Sequence, residues 1–221
     1  MNVLIAGASG LVGNELLQLT LTKEAIGSIH LVNRRILEIQ HPKLEQHIVD
    51  FSDLKNLKCS APIDIVFCSL GTTIKNAGSK EKFKAVDYEY VVNLAKWAES
   101  NGVGTFIVVS AMGADSKSSI FYSKIKGEMQ EALSELSIPS ISVLQPSLLL
   151  GNRSEFRLGE KIAIGLMTVL NLLFVGPLKK HKGIAALTVA RAMLTLGNNK
   201  APGVTIFSND KLFQIAKKTT A

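Results

Sequence analysis

Apolar residues come in short runs of strand length along the first 150 positions: Val3–Ala6, Ile29–Val32, His47–Val49, Ile63–Cys68, Thr105–Val109 and Ser140–Leu144. Most of these runs are continuous Val, Ile and Leu instead of alternating with polar residues, the pattern of strands buried on both faces. Helical periodicity at about 11–22, 80–100 and 120–136 separates several of them. Strand–helix alternation of this kind predicts an α/β fold with a doubly wound parallel sheet. After Gly151-Asn152 the alternation stops. The remainder reads as mainly helical, with a late strand near Val204–Phe207 and a terminal helix after Ser208, which can cap it. We read residues 1–221 as one domain in which 151–221 form a substrate region, a lid over the strand ends.

The first strand runs into Gly7-Ala8-Ser9-Gly10-Leu11-Val12-Gly13, which opens the first helix. A dinucleotide pyrophosphate needs backbone N–H groups at a helix N-terminus with no Cβ in the way, and glycines between strand and helix supply that geometry. The second strand ends at Asn33-Arg34-Arg35, where an NAD-binding chain would place an acidic residue for the ribose 2′-hydroxyl. Arginine there suits a 2′-phosphate, and a guanidinium can also stack on adenine, so NADP(H) is the expected cofactor. Two arginines at a strand end are otherwise simply solvated. Asp50-Phe51 and Leu70-Gly71-Thr72-Thr73 fall at the carboxyl edge of the sheet, where adenine and ribose lie; an ordinary cap and an ordinary loop explain them equally well.

Composition narrows the class. With 221 residues, 47% hydrophobic and 19% charged, the chain has enough apolar side chain for one large core. Met1-Asn2 leads directly into a strand with no secretory pattern, which suggests a cytoplasmic protein. Cys59 and Cys68 suit reduced, structural thiols, and His30, His41, His47 and His181 show no metal-ligand spacing, so no metal is expected. The net charge of +7 is uneven: residues 1–150 balance at −1 (14 Lys/Arg, 15 Asp/Glu), whereas 151–221 carry +8 (11 and 3). That basic segment also holds the most apolar stretch, Ile162 to Leu178, between Lys161 and Lys179-Lys180-His181-Lys182. It is short for a bilayer span and reads first as a buried or pocket-lining helix, second as a peripheral membrane or oligomer contact through 161–182. The basic residues are not interleaved with aromatics, which argues against nucleic acid as a partner.

Candidate chemistry lies at Ser110, Tyr122 and Lys126. Ser110 closes the fifth strand, while Tyr122 and Lys126, four apart on the next helix, share a face. An ammonium beside a phenol favours the phenolate, so Lys126 is expected to lower the pKa of Tyr122 toward working pH. Tyr122 then exchanges the carbonyl proton, Ser110 hydrogen-bonds the carbonyl oxygen, and Lys126 also holds the nicotinamide ribose.

Gly7-x-x-Gly10-x-x-Gly13, Ser110 and Tyr122-x-x-x-Lys126 together resemble the short-chain dehydrogenase/reductase superfamily. Asn33-Arg34-Arg35, Cys68-Ser69-Leu70-Gly71-Thr72-Thr73, Lys124-Ile125-Lys126-Gly127-Glu128 and Gln145-Pro146-Ser147 resemble its atypical Tat-interacting-protein-like oxidoreductases over nearly the whole chain. The resemblance implies a Rossmann sheet with NADP(H) at its edge, Leu70, Gly71 and Thr72 along the cofactor, and Pro146 to Leu148 beside the nicotinamide. The relay asparagine of many superfamily members has no direct counterpart, although Asp87 and Asn93 lie in the helix where it would fall. An NADP(H)-dependent oxidoreductase for a small, apolar carbonyl or alcohol is the leading expectation. An NADPH-binding sensor or regulatory module is its rival, and a sugar-nucleotide epimerase is disfavoured by the short C-terminal region.

Overall fold

The computed structural model describes residues 1–151 and 182–218. Its elements in chain order are β1 (Asn2–Ala6), α1 (Leu11–Leu21), β2 (Ser28–Asn33), β3 (Leu44–Ile48), β4 (Ile65–Cys68), α2 (Ile74–Ala77), α3 (Lys80–Lys84), a π-helical turn (Ala85–Glu89), α4 (Tyr90–Ser100), β5 (Thr105–Val109), α5 (Phe121–Ser134), β6 (Ser140–Gln145), β7 (Leu149–Leu150), β8 (Ile184–Ala185), α6 (Ala186–Asn198), β9 (Gly203–Ser208) and α7 (Asn209–Lys217). The main sheet has seven strands in the order β3-β2-β1-β4-β5-β6-β9, and every pairing in it is parallel.

Alternate residues of each strand enter two cores. Val3, Ile5, Ile29, Leu31, Phe67 and Ile107 meet Leu16 and Leu17 of α1 and Val189, Ala190 and Met193 of α6. Leu4, Ala6, Val32, Val66, Phe106 and Val108 meet Val91 and Leu94 of α4 and Met129 and Leu133 of α5. Each fully buried Leu, Ile or Phe contributes about 1.5–3 kcal/mol, so two filled faces fix the sheet in the middle of the domain. The chain winds outward from β1 through β2 to β3, then crosses back to place β4 on the other side of β1. The crevice between the loops after β1 and β4 is therefore the switch point of the sheet, where ligands of such folds bind.

Three differences from the sequence reading have physical causes. The third strand is Leu44–Ile48, not His47–Val49. As an edge strand it is half-buried, and its polar Glu45, Gln46 and His47 hide the apolar signal. Within the expected lid, residues 184–217 are instead part of the body: β9 pairs with β6, and α6 buries its apolar face on α1. Ser208 does precede the last helix, but its hydroxyl donates to Asp210 at 2.6 Å and caps no amide. The apolar stretch Ile162–Leu178 lies outside the described residues.

Candidate active site

The turn after β1 is held by its own backbone and by one serine. Gly7 adopts φ +87°, a conformation that favours glycine, and its carbonyl accepts from the Gly10 amide at 2.9 Å. Ser69, just after β4, donates its hydroxyl to the Ala6 carbonyl at 3.0 Å and lies 3.3 Å from the Gly7 carbonyl. Gly13, in the first turn of α1, packs so closely that an added Cβ would lie 2.1 Å from the Gly7 oxygen and 2.6 Å from Ser69 Oγ. Among the described residues no side chain caps the start of α1, so its first amides lack a protein acceptor there. A glycine cradle below uncapped helical amides fits a pyrophosphate. Ala8 and Val12 are buried beneath the turn, Leu11 is half-buried, and Ser9 and Gly10 are exposed at its surface.

A buried ion pair faces this turn from the other side of the crevice. Lys126 Nζ lies 2.7 Å from Asp87 Oδ1, and the two side chains are 4% and 1% exposed. The second carboxylate oxygen accepts from the Thr72 amide at 2.8 Å. Asp87 sits in the π-helical turn, a backbone irregularity that recurs at functional sites and here breaks the helical register before α4. Gly71 packs against the pair, where an added Cβ would stand 3.3 Å from Asp87 Oδ1 and 3.7 Å from Lys126 Nζ. The loop after β4 is thus tied to both halves of the site, through Ser69 to the glycine turn and through Thr72 to Asp87.

Along α5, Tyr122, Lys126 and Gln130 recur every four residues on one face. Ser110 is buried at the end of β5, and its hydroxyl accepts from the Gln130 side-chain amide at 2.6 Å. Gln130 in turn accepts from Gln145 at 3.1 Å. Tyr122 packs its ring 5.5 Å from that of Phe83. Burial pushes the Tyr122 phenol above its ordinary pKa, against the opposing pull of Lys126. The expected depression therefore does not occur in this state: burial outweighs the ammonium, and the Asp87 carboxylate adds to the rise.

The remaining predicted residues divide. Arg34 and Arg35 are exposed immediately beyond β2, at the carboxyl edge of the sheet. Asp50 is exposed and accepts from the Ser52 amide at 2.9 Å, an ordinary turn. The Phe51 ring is buried and stacks on Tyr90. Leu70 is half-buried against the α4 core. Pro146 is buried and its carbonyl accepts from Met112, while Leu148 is 47% exposed. Asn93 donates to the Phe51 carbonyl at 3.0 Å and belongs to that loop; Asp87 is the residue that reaches Lys126. Sequence reasoning missed Ser69 and Gln130 as site residues. Continuing the four-residue spacing from Tyr122 and Lys126 points to Gln130; Ser69 carries no local signal, because its partner turn is 62 residues away. His30 and His47, treated as isolated, are neighbours across β2 and β3.

Comparison with known proteins agrees with this geometry. Residues 7–137 match a family model described as NAD(P)H-binding. The rat (Rattus norvegicus) protein HTATIP2 is 36% identical over 91% of this chain and 82% of its own length. A protein from Candida albicans named FMP52, mitochondrial, is 34% identical over 74% of each chain. In structure, MoeE5 in complex with UDP-glucose and NAD superposes with a TM-score of 0.69 at 14% identity, covering 100% of this chain and 82% of that one. The human epimerase family protein SDR39U1 with NADPH gives 0.62 at 18% identity, covering 94% and 74%. At such identities these two show a common fold. The mitochondrial yeast relatives overturn the cytoplasmic expectation. The expectation rested on a secretory pattern, which does not bear on cytosol against organelle. Among the described residues no helix is long and apolar enough to cross a membrane. The matched family model and the rat relative lead to one conclusion: this chain belongs to the NAD(P)H-binding family and is a relative of HTATIP2.

Proposed function

We propose that the protein is an NADP(H)-dependent reductase or dehydrogenase for a small, apolar carbonyl or alcohol. The observation that carries this reading is the buried Lys126–Asp87 pair one helical turn from Tyr122, tied by Thr72 to the loop beside the glycine cradle. The glycine turn and Lys126 would hold a nicotinamide cofactor, whose chemistry there would be hydride transfer to or from the carbonyl carbon. Tyr122, kept protonated by its raised pKa, gives its hydroxyl proton to the carbonyl oxygen as the hydride arrives, and solvent reprotonates it. Ser110, which accepts from Gln130 and so keeps its own proton to donate, hydrogen-bonds the same oxygen. Met112, Ile120 and Leu148 remain 37%, 65% and 47% exposed around the ends of β5 and β6, an apolar surface that suits an apolar substrate.

Tyr122→Phe is expected to retain cofactor binding and lose hydride transfer by roughly two orders of magnitude or more, the size of a general-acid contribution. The measurement is NADPH loss across a panel of aldehydes and ketones, with calorimetry for cofactor binding. Unchanged turnover would remove the catalytic role. A second reading, a cofactor-binding regulatory module, is favoured by the partners that occupy Lys126 and Ser110. It predicts that Tyr122→Phe leaves the biological output intact while glycine-turn variants abolish it.

Preference for NADP(H) over NAD(H) rests on Arg34, exposed where a 2′-phosphate would lie. Arg34→Asp should weaken NADPH binding by roughly 1.5–3 kcal/mol, the worth of a charge-assisted contact, and leave NADH unchanged or tighter. Equal NADPH affinity in wild type and variant, measured by calorimetry, would shift the assignment to NAD.

A further inference from the structure

At the outer edge of the sheet, on the face covered by α4, side chains with no part in the cofactor site converge. His30 of β2 is fully buried, and its Nδ1 lies 3.0 Å from Nε2 of His47 in β3. Cys59, from the connection between β3 and β4, brings its sulfur close enough that all three donor atoms lie within 4.8 Å of one another. Glu45 places one carboxylate oxygen 3.4 Å from His30 Nδ1 and the other 3.5 Å from His47 Nε2.

We propose that His30, His47 and Cys59, with Glu45 as the fourth ligand, form a structural site for a tetrahedral divalent transition metal of the zinc class. The 3.0 Å between the imidazole nitrogens is close to what such an ion requires, and the Cys59 sulfur and a Glu45 oxygen would close in on it by side-chain rotation. With metal–nitrogen bonds of 2.0–2.1 Å and a metal–sulfur bond near 2.3 Å, tetrahedral edges are about 3.3 Å between nitrogens and about 3.6 Å between nitrogen and sulfur. The donor types are the borderline-soft set that zinc takes. Charge also balances: one thiolate and one carboxylate offset a dication, and binding releases the Cys59 thiol proton to solvent.

Outer contacts orient the ligands. Ser28 Oγ lies 3.1 Å from His30 Nε2, so it can take the Nε2 proton and leave Nδ1 free for the metal. Ser60 Oγ donates to Glu45 Oε2 at 2.5 Å and holds that carboxylate beside both imidazoles.

The location gives the ion a purpose. Among the described residues β3 pairs with β2 alone, and edge strands need protection or anchoring. An ion bound by β2, β3 and Cys59 would staple the edge strand and the following connection to the sheet. The cofactor crevice lies on the other side of β2, between the loops after β1 and β4, so the site acts on stability and not on hydride transfer.

The test uses the full chain, reduced and stripped with chelator, titrated with zinc chloride by calorimetry and with cobalt(II) by absorption. The expected result is one zinc per chain, a rise in thermal midpoint with zinc, and a cobalt spectrum with tetrahedral d–d bands and a thiolate charge-transfer band. Cys59→Ser should erase the charge-transfer band and weaken zinc by about 10-fold or more, and His47→Gln should weaken it comparably. Cys68→Ala, on the neighbouring β4, should leave both unchanged. NADPH binding by each variant reports folding independently of the metal. Absence of zinc binding by the wild type, a cobalt complex without the thiolate band, or an unaltered spectrum in Cys59→Ser would overturn the proposal. The wild-type spectrum decides without any variant.

Discussion

Replacing Gly13 by alanine is expected to abolish binding of NADPH and NADH alike. The new methyl would lie 2.1 Å from the Gly7 carbonyl oxygen, 2.7 Å from the Gly7 carbonyl carbon and 2.6 Å from Ser69 Oγ. Two of these are backbone atoms of the turn, and the third is the side chain that anchors it, so no flexible group can swing away. Gly7 cannot yield readily either, since its φ of +87° already uses the freedom that glycine provides. The start of α1 must therefore move off the turn, and the amides that would cradle a pyrophosphate lose their common aim. Overpacking should cost about 1–3 kcal/mol of stability. That corresponds to a fall of roughly 2–4 °C in thermal midpoint per kcal/mol for a chain of this size, while the loss of affinity is far larger. Gly10→Ala is the internal comparison, because its added Cβ would stand 3.2 Å from the Gly7 oxygen and a shift of a few tenths of an ångström relieves it. Calorimetry with both cofactors and a thermal melt of each variant check the pair. Wild-type affinity in Gly13→Ala would show that the turn does not hold the cofactor.

The second large effect belongs to the buried ion pair. Lys126→Met leaves the Asp87 carboxylate in a dry site with the Thr72 amide as its remaining partner among the described residues, and Asp87→Leu leaves an ammonium there without its counter-charge. Each single change should cost about 3–5 kcal/mol, the usual penalty for orphaning one member of a buried pair. The double variant Lys126→Met/Asp87→Leu removes both charges and should recover much of that stability, because burying two charges is itself unfavourable. Function should not recover with it. If Lys126 contributes to cofactor binding and to the neighbourhood of Tyr122, the double variant stays inactive although folded. Denaturant unfolding of the four proteins gives the coupling energy, and cofactor titration of the double variant separates scaffold from chemistry. Single variants that each cost under about 0.5 kcal/mol would mean that the pair is more hydrated than its burial indicates.

The fold was legible because its signals are local. Continuous Val/Ile/Leu runs such as Val3–Ala6 and Thr105–Val109 can satisfy their surfaces only between two layers, and the intervening helical periods supply those layers. The glycine turn was legible for a similar reason: strand, close-set glycines and helix are contiguous, so the local backbone requirement appears in order. Tyr122 and Lys126 share a helix face by spacing alone, and the same spacing extends to Gln130. The polar edge strand was shifted because only half of it is buried, and hydrophobic period carries little information there.

What tertiary structure decided were relations between residues far apart in the chain. That burial, with the Asp87 carboxylate adding to it, outweighs the pull of Lys126 on Tyr122 depends on a π-helical turn 39 positions earlier meeting α5 across the core. Ser69 locks a turn 62 residues away because β4 lands beside β1, a consequence of strand order that no window of sequence contains. The C-terminal strand joined the sheet because the edge of β6 offered unpaired backbone groups and α6 an apolar face for α1. His30, His47 and Cys59 meet only because β3 pairs in parallel with β2 and the next loop folds over both. Sequence determined which segments are strands, helices and a phosphate turn, since those follow from local sterics and hydrophobic period. The ionisation of the site and its companions were set by long-range packing, which determines the charges and the dielectric that each group meets.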